Sequence, residues 1–373
     1  MKIGILTFHC AHNYGAVLQA YGLQEYLKSQ GHEVHVIDYR PEYLTRIYRR
    51  SGICHLLGKN LIKTCAKILS EPFLFKIRKD TWDKFDWFIN NRLDLAPYTK
   101  DGLNNYDVII AGSDQIWNPK LTGGIFDDIF LGKDIQTRFV SYAASTRLGT
   151  IDNTQIEYLR KSFRNIAAIS VREYTLKELL QPLTPKRITA VLDPTLLAGK
   201  EIFDRIAQKP NIPHKYVFIY NLSFYRQTRD IATDIARQID GSVIELVSSL
   251  RIRIKCRNMQ MVYAISPEEF LGLIKYASCI VTTSFHGTAL SLCFQRPFYS
   301  VRQGKGIDER YESLLNKLGL QHRLISMDTR PEFEEIDYSP VNKILSHELE
   351  ISTDFIDKAI SPSENFSSEA SHK

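Results

Sequence analysis

The sequence predicts an α/β protein with two doubly wound domains and a cleft between them. Three observations lead there. Short apolar runs closed by turn residues alternate with segments of helical period from the first residues onward, as in parallel sheets. At 373 residues the chain is too long for one ordinary hydrophobic core. The strand–helix rhythm also stops at "KPNIPHK" (209 to 215), a linker-like stretch, and then begins again.

Taken in order, "KIGILTF" reads as a buried strand, "GAVLQAYGLQEYLKSQG" as a helix closed by glycine, and "HEVHVIDY" as a second strand. This is a βαβ unit, which opens a parallel sheet. "YDVIIAGSDQIW" adds a strand that runs into a polar loop, "RFVSYAAS" another strand, and "IAAISVREYTLKELL" a strand followed by a helix. Beyond the linker, "YVFIYNL", "TRDIATDIARQI", "SVIELVS", "SPEEFLGLIKYA" and "SCIVTTS" repeat the alternation. The expected domains are therefore residues 1–208 and 209–360, and the polar tail from 361 to 373 is expected to be disordered.

A hydrophobic fraction of 44% with 24% charged residues is that of a soluble globular chain. The start, "MKIGILTFHC", has one lysine before a short apolar run. Neither a signal peptide nor a membrane span is expected, and the chain is expected in the cytoplasm. Six scattered cysteines without C-x-x-C spacing point to free thiols, with no disulfide framework and no structural zinc. His9 with His12, and His32 with His35, lack the accompanying carboxylate or cysteine cluster of a metal site, so no metal is expected.

Residues 40 to 79 break the rhythm with ten Lys or Arg against two acids. Within this segment Lys59, Lys63 and Lys67 recur at helical spacing, and Leu57, Leu61, Cys65, Ile68 and Leu69 share another face. Such a basic amphipathic helix is either a solvated face or a peripheral contact with an anionic membrane surface. No recognition-helix, RNA-binding or zinc-finger signature accompanies the charge, so nucleic acid is not expected as a partner.

Four polar loops follow apolar strands: "HCAHNYGA", "GSDQIWNP", "SVRE" and "SFHGT". In the first, Gly15 and Ala16 begin a helix and leave room either for a ligand at the exposed N–H groups or for a simple tight turn. Neither G-x-G-x-x-G nor a Walker-type loop is present. The second loop sets Ser113, Asp114, Gln115 and Asn118 beside Trp117. Hydroxyl-bonding groups next to an indole suit a sugar, although Asp and Asn before proline also form plain turns.

Through "NYGAVLQAYGLQ", "DYRP", "GSDQIWNP", "SYAAS", "SVRE", "LDPTLL" and "TTSFHGTALSL", in that order, nearly the whole chain resembles the polysaccharide pyruvyl transferase family. The resemblance implies two Rossmann-like domains in a glycosyltransferase-B-like arrangement, with the acceptor on the first domain and the donor on the second. It further implies transfer of pyruvate from phosphoenolpyruvate, a co-substrate, onto a sugar of a lipid-linked capsule or exopolysaccharide precursor, commonly as a cyclic ketal. No other cofactor is implied.

On this resemblance His286 is the proton donor or phosphate ligand, and Arg172 is the fork that holds the donor. An ion pair of Arg172 with Glu173 or another acid is the plainer alternative. Ser284, Gly287 and Thr288 complete the donor loop. Some members carry arginine two positions before the histidine, where this chain has Ser284, so Lys305 or Arg310 is expected to supply the missing charge unless both are solvated loop cations. His9, Asn13 and Tyr14 join Ser113, Asp114, Gln115, Trp117 and Asn118 on the acceptor side. A nucleotide-sugar glycosyltransferase and a catalytically silent carbohydrate-binding protein are the competing readings.

Overall fold

The computed structural model describes residues 1–49, 61–147, 152–223, 225–247, 259–304 and 308–361; the side chains of 46–49 and 61–74 lie outside this set. Seven strands form the first sheet: β1 (Lys2–Leu6), β2 (Glu33–Asp38), β3 (Leu95–Pro97), β4 (Val108–Ala111), β5 (Arg138–Ala144), β6 (Ala168–Val171) and β7 (Ile188–Ala190). Their spatial order is β3-β2-β1-β4-β5-β6-β7. The second sheet holds β8 (Tyr216–Tyr220), β9 (Ser242–Leu246), β10 (Met259–Val262), β11 (Cys279–Thr282), β12 (Phe298–Val301) and β13 (Leu324–Ile325), in the order β10-β9-β8-β11-β12-β13.

Every pairing is parallel, for example Ile3 with Val108 and Cys279 with Val217. Parallel strands need crossovers and are covered on both faces, which is why the central strands β4, β8 and β11 are buried at every residue. In each sheet the order reverses beside its first strand. That reversal opens a crevice at the carboxyl ends, where the polar loops emerge.

The helix Tyr14–Ser29 follows β1, and Asn13 caps it by accepting from the N–H groups of Gly15 and Ala16 at 3.0 and 3.3 Å. This helix packs against Pro194–Leu197 on one side and against Pro267–Lys275 of the second domain on the other. Tyr14 stacks on Phe270 with ring centroids 4.4 Å apart, and its hydroxyl donates to the Ile265 carbonyl at 3.0 Å. The aromatic seam continues to Tyr220, so one apolar cluster runs through both domains.

The last helix, Tyr338–Ile360, returns to the first sheet. Arg138 donates to the Ala359 carbonyl at 2.7 Å, the Leu192 N–H donates to Ser352 Oγ at 2.9 Å, and Phe355 lies beside Tyr142. A segment late in the sequence thereby ties the two domains together. The long helix Leu61–Arg92 packs against the helix Tyr14–Ser29, where the buried Phe85 lies beside Tyr14 and the buried Phe88 beside Tyr21. Lys59 lies outside the described residues, as do the side chains of Lys63 and Lys67. Among the described residues no helix is long and apolar enough to cross a membrane. Cys10, Cys279 and Cys293 are buried.

Candidate active site

Loops from the carboxyl ends of β1, β4, β5, β6, β7 and β11 converge on one buried carboxylate, Asp193. It closes the strand-end sequence "LDPT" and caps the short helix Pro194–Leu197. Its Oδ1 accepts from the Thr195 N–H at 2.9 Å and from the Thr195 hydroxyl at 2.7 Å. The other oxygen, Oδ2, accepts from Arg172 Nη1 at 2.8 Å and Ser113 Oγ at 3.3 Å, and it lies 3.6 Å from His286 Nε2. Burial alone would raise this carboxyl. The opposed His286 and Arg172, with the Thr195 N–H, outweigh burial and hold it far below the usual carboxylate range. These partners favour the ionised form of Asp193.

Arg172 leaves β6 with its guanidinium enclosed. Nε donates to Glu173 Oε1 at 2.9 Å, Nη1 to Asp193 and Nη2 to Ser145 Oγ at 3.0 Å, while the plane lies 4.1 Å over the Phe285 ring. Burial disfavours its charge, but Glu173 and Asp193 more than restore it and raise the group above the ordinary arginine range. Ser145 also donates to Glu173 Oε1 at 2.8 Å, which leaves Glu173 Oε2 buried without a hydrogen-bond partner. The expected donor-binding fork is therefore already occupied by Glu173 and Asp193. Arg172 organises the site through its ion pairs and does not present a free bidentate face.

His286 sits in the first turn of the helix Phe285–Cys293, 6% exposed. Its Nε2 is buried and, at 3.6 Å from Asp193, is beyond hydrogen-bond length. The ring rests on Gly15. A Cβ there would stand 2.1 Å from His286 Nδ1 and 2.3 Å from Cγ, so any side chain would displace the imidazole. This corrects the expectation that Gly15 leaves room for a ligand: the space belongs to the histidine, and Asn13 occupies the N–H groups. Gly287 meets a similar limit, because a Cβ would stand 2.3 Å from Thr282 Oγ1.

Thr288 does not offer the donor-binding groups expected of it. Its N–H and hydroxyl both donate to the Ser284 carbonyl, and the hydroxyl also bonds Ser300 Oγ at 2.7 Å. Ser284 is buried, with its N–H on Thr282 Oγ1 at 3.0 Å. Lys305 lies outside the described residues. Arg310 lies in a cleft whose walls also include Arg172, Asp193 and Phe285.

The acceptor-side expectations fare unevenly. Trp117 is 1% exposed and its Nε1–H donates to the Phe130 carbonyl at 3.0 Å, so the indole is core packing and offers no face to a sugar. His9 is fully buried between the Thr7 carbonyl and Asp38 Oδ1, the latter at 2.9 Å. Tyr14 is the interdomain aromatic described above. Asn118 is buried and donates to Gln115 Oε1 at 2.9 Å. Asp114 and Gln115 remain partly exposed at the rim, and Ser113 belongs to the Asp193 cluster.

Exposed aromatic surface lies elsewhere on the first domain, in a groove of about 1070 Å³ lined by Tyr43, Ile125, Phe126, Asp127 and Tyr158. It is the larger cavity, but it holds neither a histidine nor a buried ion pair, so the chemistry is placed at Asp193. Reading the sequence missed Asp193 and Ser145. The available signal was the Asp-Pro-Thr cap directly after an apolar strand, in the same strand-end position as the other loops. Among the described residues no group of three His, Cys, Asp or Glu has the geometry to hold a metal ion.

Fold and site together define a two-domain α/β protein with a histidine and an ionised carboxylate where the carboxyl ends of two parallel sheets meet. The model of a family described as polysaccharide pyruvyl transferase matches residues 13–304. The chain belongs to that family. No curated protein is significantly similar to it.

Among solved structures it is similar to UDP-GlcNAc 2-epimerase from Neisseria meningitidis bound to UDP-GlcNAc, at 11% identity and TM-score 0.46, covering 98% of this chain and 95% of that one. The glycosyltransferase SnogD from Streptomyces nogalater is similar at 12% identity and TM-score 0.43, covering 96% and 97%. What those proteins bind and transfer is theirs, and at these scores the likeness carries no argument.

Proposed function

We propose that this protein transfers the pyruvyl group of phosphoenolpyruvate to two hydroxyls of a sugar in a polysaccharide precursor, forming a cyclic ketal and releasing inorganic phosphate. The observation that carries the reading is the buried His286 Nε2, without a hydrogen bond and 3.6 Å from an ionised Asp193, in a member of the pyruvyl transferase family.

The chemistry balances without a redox step. A proton goes to the methylene carbon of phosphoenolpyruvate, which becomes the methyl group. One sugar hydroxyl bonds to C2 and gives its proton back to His286, and the C2–O bond to phosphate breaks with its electron pair on phosphate. The second hydroxyl then closes the ketal, and its proton leaves with phosphate. His286 delivers the first proton. Asp193, fixed by Arg172, Ser113 and Thr195, lies 3.6 Å from the imidazole and balances its charge as the proton moves. Gly15 supports the ring from the opposite side.

The site's position supports the reading too, because ligands of open α/β sheets bind at the carboxyl ends of strands. We propose a lipid-linked precursor as acceptor, with contact at an anionic membrane made by the basic segment. The test is incubation of the protein with phosphoenolpyruvate and candidate lipid-linked or free glycosides, following phosphate release and a mass gain on the sugar. One phosphate per ketal is expected. Absence of phosphate release with every acceptor, together with no binding of phosphoenolpyruvate, would overturn the reading.

A further inference from the structure

We infer that Arg310 and Thr146, brought together from the two domains, form the seat for the anionic end of the donor. Arg310 lies in the first turn of the helix Glu309–Lys317, after β12, and Thr146 follows β5. Both line a second, narrow cleft, which shares Arg310 with the Asp193 cleft.

Three observations point to an anion. First, Arg310 makes no ion pair and no hydrogen bond among the described residues, whereas Arg172 beside it is matched by two carboxylates. Burial disfavours the Arg310 charge and Arg172 repels it, so both influences lower its hold on the proton; Glu173 and Asp114 oppose them only in part. A bound anion would relieve both. Second, Thr146 is 2% exposed and its hydroxyl is buried with no hydrogen-bond partner, although it borders the same cleft. A buried hydroxyl without a partner costs free energy unless something else supplies one, and a phosphate or carboxylate oxygen is an acceptor of the right kind. Third, Thr175 also borders the cleft, adding a hydroxyl. The acids there are Glu173, whose Oε1 is already held by Arg172, and the partly exposed Glu309.

The inference rests on the pyruvyl transfer reading for the identity of the ligand, phosphoenolpyruvate. It places its phosphate or carboxylate on Arg310 in a chain whose Ser284 carries no charge and whose Arg172 is otherwise engaged. Because Arg310 and Thr146 belong to different domains, an anion between them also links the domains at the mouth of the site.

Isothermal titration of the full chain with phosphoenolpyruvate, and separately with inorganic phosphate, tests this on the wild type, Arg310→Gln, Arg310→Lys and Thr146→Val. Thermal unfolding of each variant shows that the fold is kept. Loss of a charge-assisted hydrogen-bonding group predicts binding of phosphoenolpyruvate roughly ten- to a hundred-fold weaker in Arg310→Gln, partly recovered in Arg310→Lys. A smaller loss is expected in Thr146→Val.

Wild-type binding of phosphoenolpyruvate that is unchanged in folded Arg310→Gln overturns the inference and leaves the pyruvyl transfer reading intact. Binding of phosphate but not of phosphoenolpyruvate, lost in Arg310→Gln, supports the anion seat and overturns that reading. No binding of either anion by the wild type overturns both.

Discussion

The two sheets share one strand order about their first strands, yet their carboxyl ends carry different things. Loops of the first sheet largely satisfy one another. Ser113, Ser145, Arg172, Glu173 and Asp193 form a nearly closed network in which every hydrogen-bonding nitrogen of Arg172 has a partner. Loops of the second sheet bring groups that are not satisfied: His286 Nε2 lacks a hydrogen-bond partner, and Arg310 lacks a counterion among the described residues. One domain thus supplies a rigid, charged wall with the Thr146 hydroxyl at its edge, and the other supplies the histidine and the arginine with capacity left for a ligand. Arginines of equal charge do different work here because their partners differ.

The largest test of this division is His286→Gln. Removing a general acid lowers turnover by roughly 10²- to 10⁴-fold. Thermal unfolding should change little, since glutamine keeps a polar side chain in the same space. Near-wild-type phosphate release by the variant would return His286 to a packing role.

On the first sheet the effect should fall on stability as well. Asp193→Ala leaves Arg172 buried with one carboxylate and His286 facing a void. Breaking a buried pair costs about 3–5 kcal/mol, so urea unfolding should show a drop of that order together with lost activity. A fully stable Asp193→Ala would mean that the network is not the rigid wall described.

Gly15→Ala probes the contact between the two sides. With a Cβ only 2.1 Å from His286 Nδ1, the ring must move. Overpacking predicts a loss of about 1–3 kcal/mol, and turnover should fall further than phosphoenolpyruvate binding. Equal kcat in variant and wild type would show that the imidazole does not need this seat.

The smallest effect is expected at Asp38, away from the site. The hydrogen bond from His9 is the main cause that brings its carboxyl down to about 2; burial opposes this and Arg40 assists. A folded pKa below the unfolded value of about 3.9 means that the stabilisation is complete above that value and is lost as pH falls toward the folded one. Asp38→Asn should therefore flatten the loss of stability between about pH 4 and pH 2, measured against the wild type by thermal unfolding. An unchanged acid limb would remove His9–Asp38 from the account.

Much of the fold was legible because its signals are local. The runs "KIGIL", "VIIA", "YVFIY" and "CIVT" are apolar without alternation, as buried parallel strands require, and each lies in a strand of the structure. The short edge strands β3, β7, β10 and β13 escaped. Two to four residues carry no readable period, and their pairing is decided by the neighbouring strand. The last helix, Tyr338–Ile360, also went unread, and its task of joining the domains depends on surfaces distant in sequence.

At the site, the sequence by itself marked the loops that stand at the carboxyl ends of strands, among them those that carry Ser113, Arg172 and His286. Strand period and turn residues determine that much, since both are properties of neighbouring residues. Tertiary structure alone decided what each residue faces. Gly15 looked like room for a ligand and is the floor under His286; Trp117 looked like a sugar platform and is core; Arg172 looked like a free fork and is closed on Asp193. Whether a buried charge is available depends on the partner that desolvation forces upon it, and that partner comes from another part of the chain.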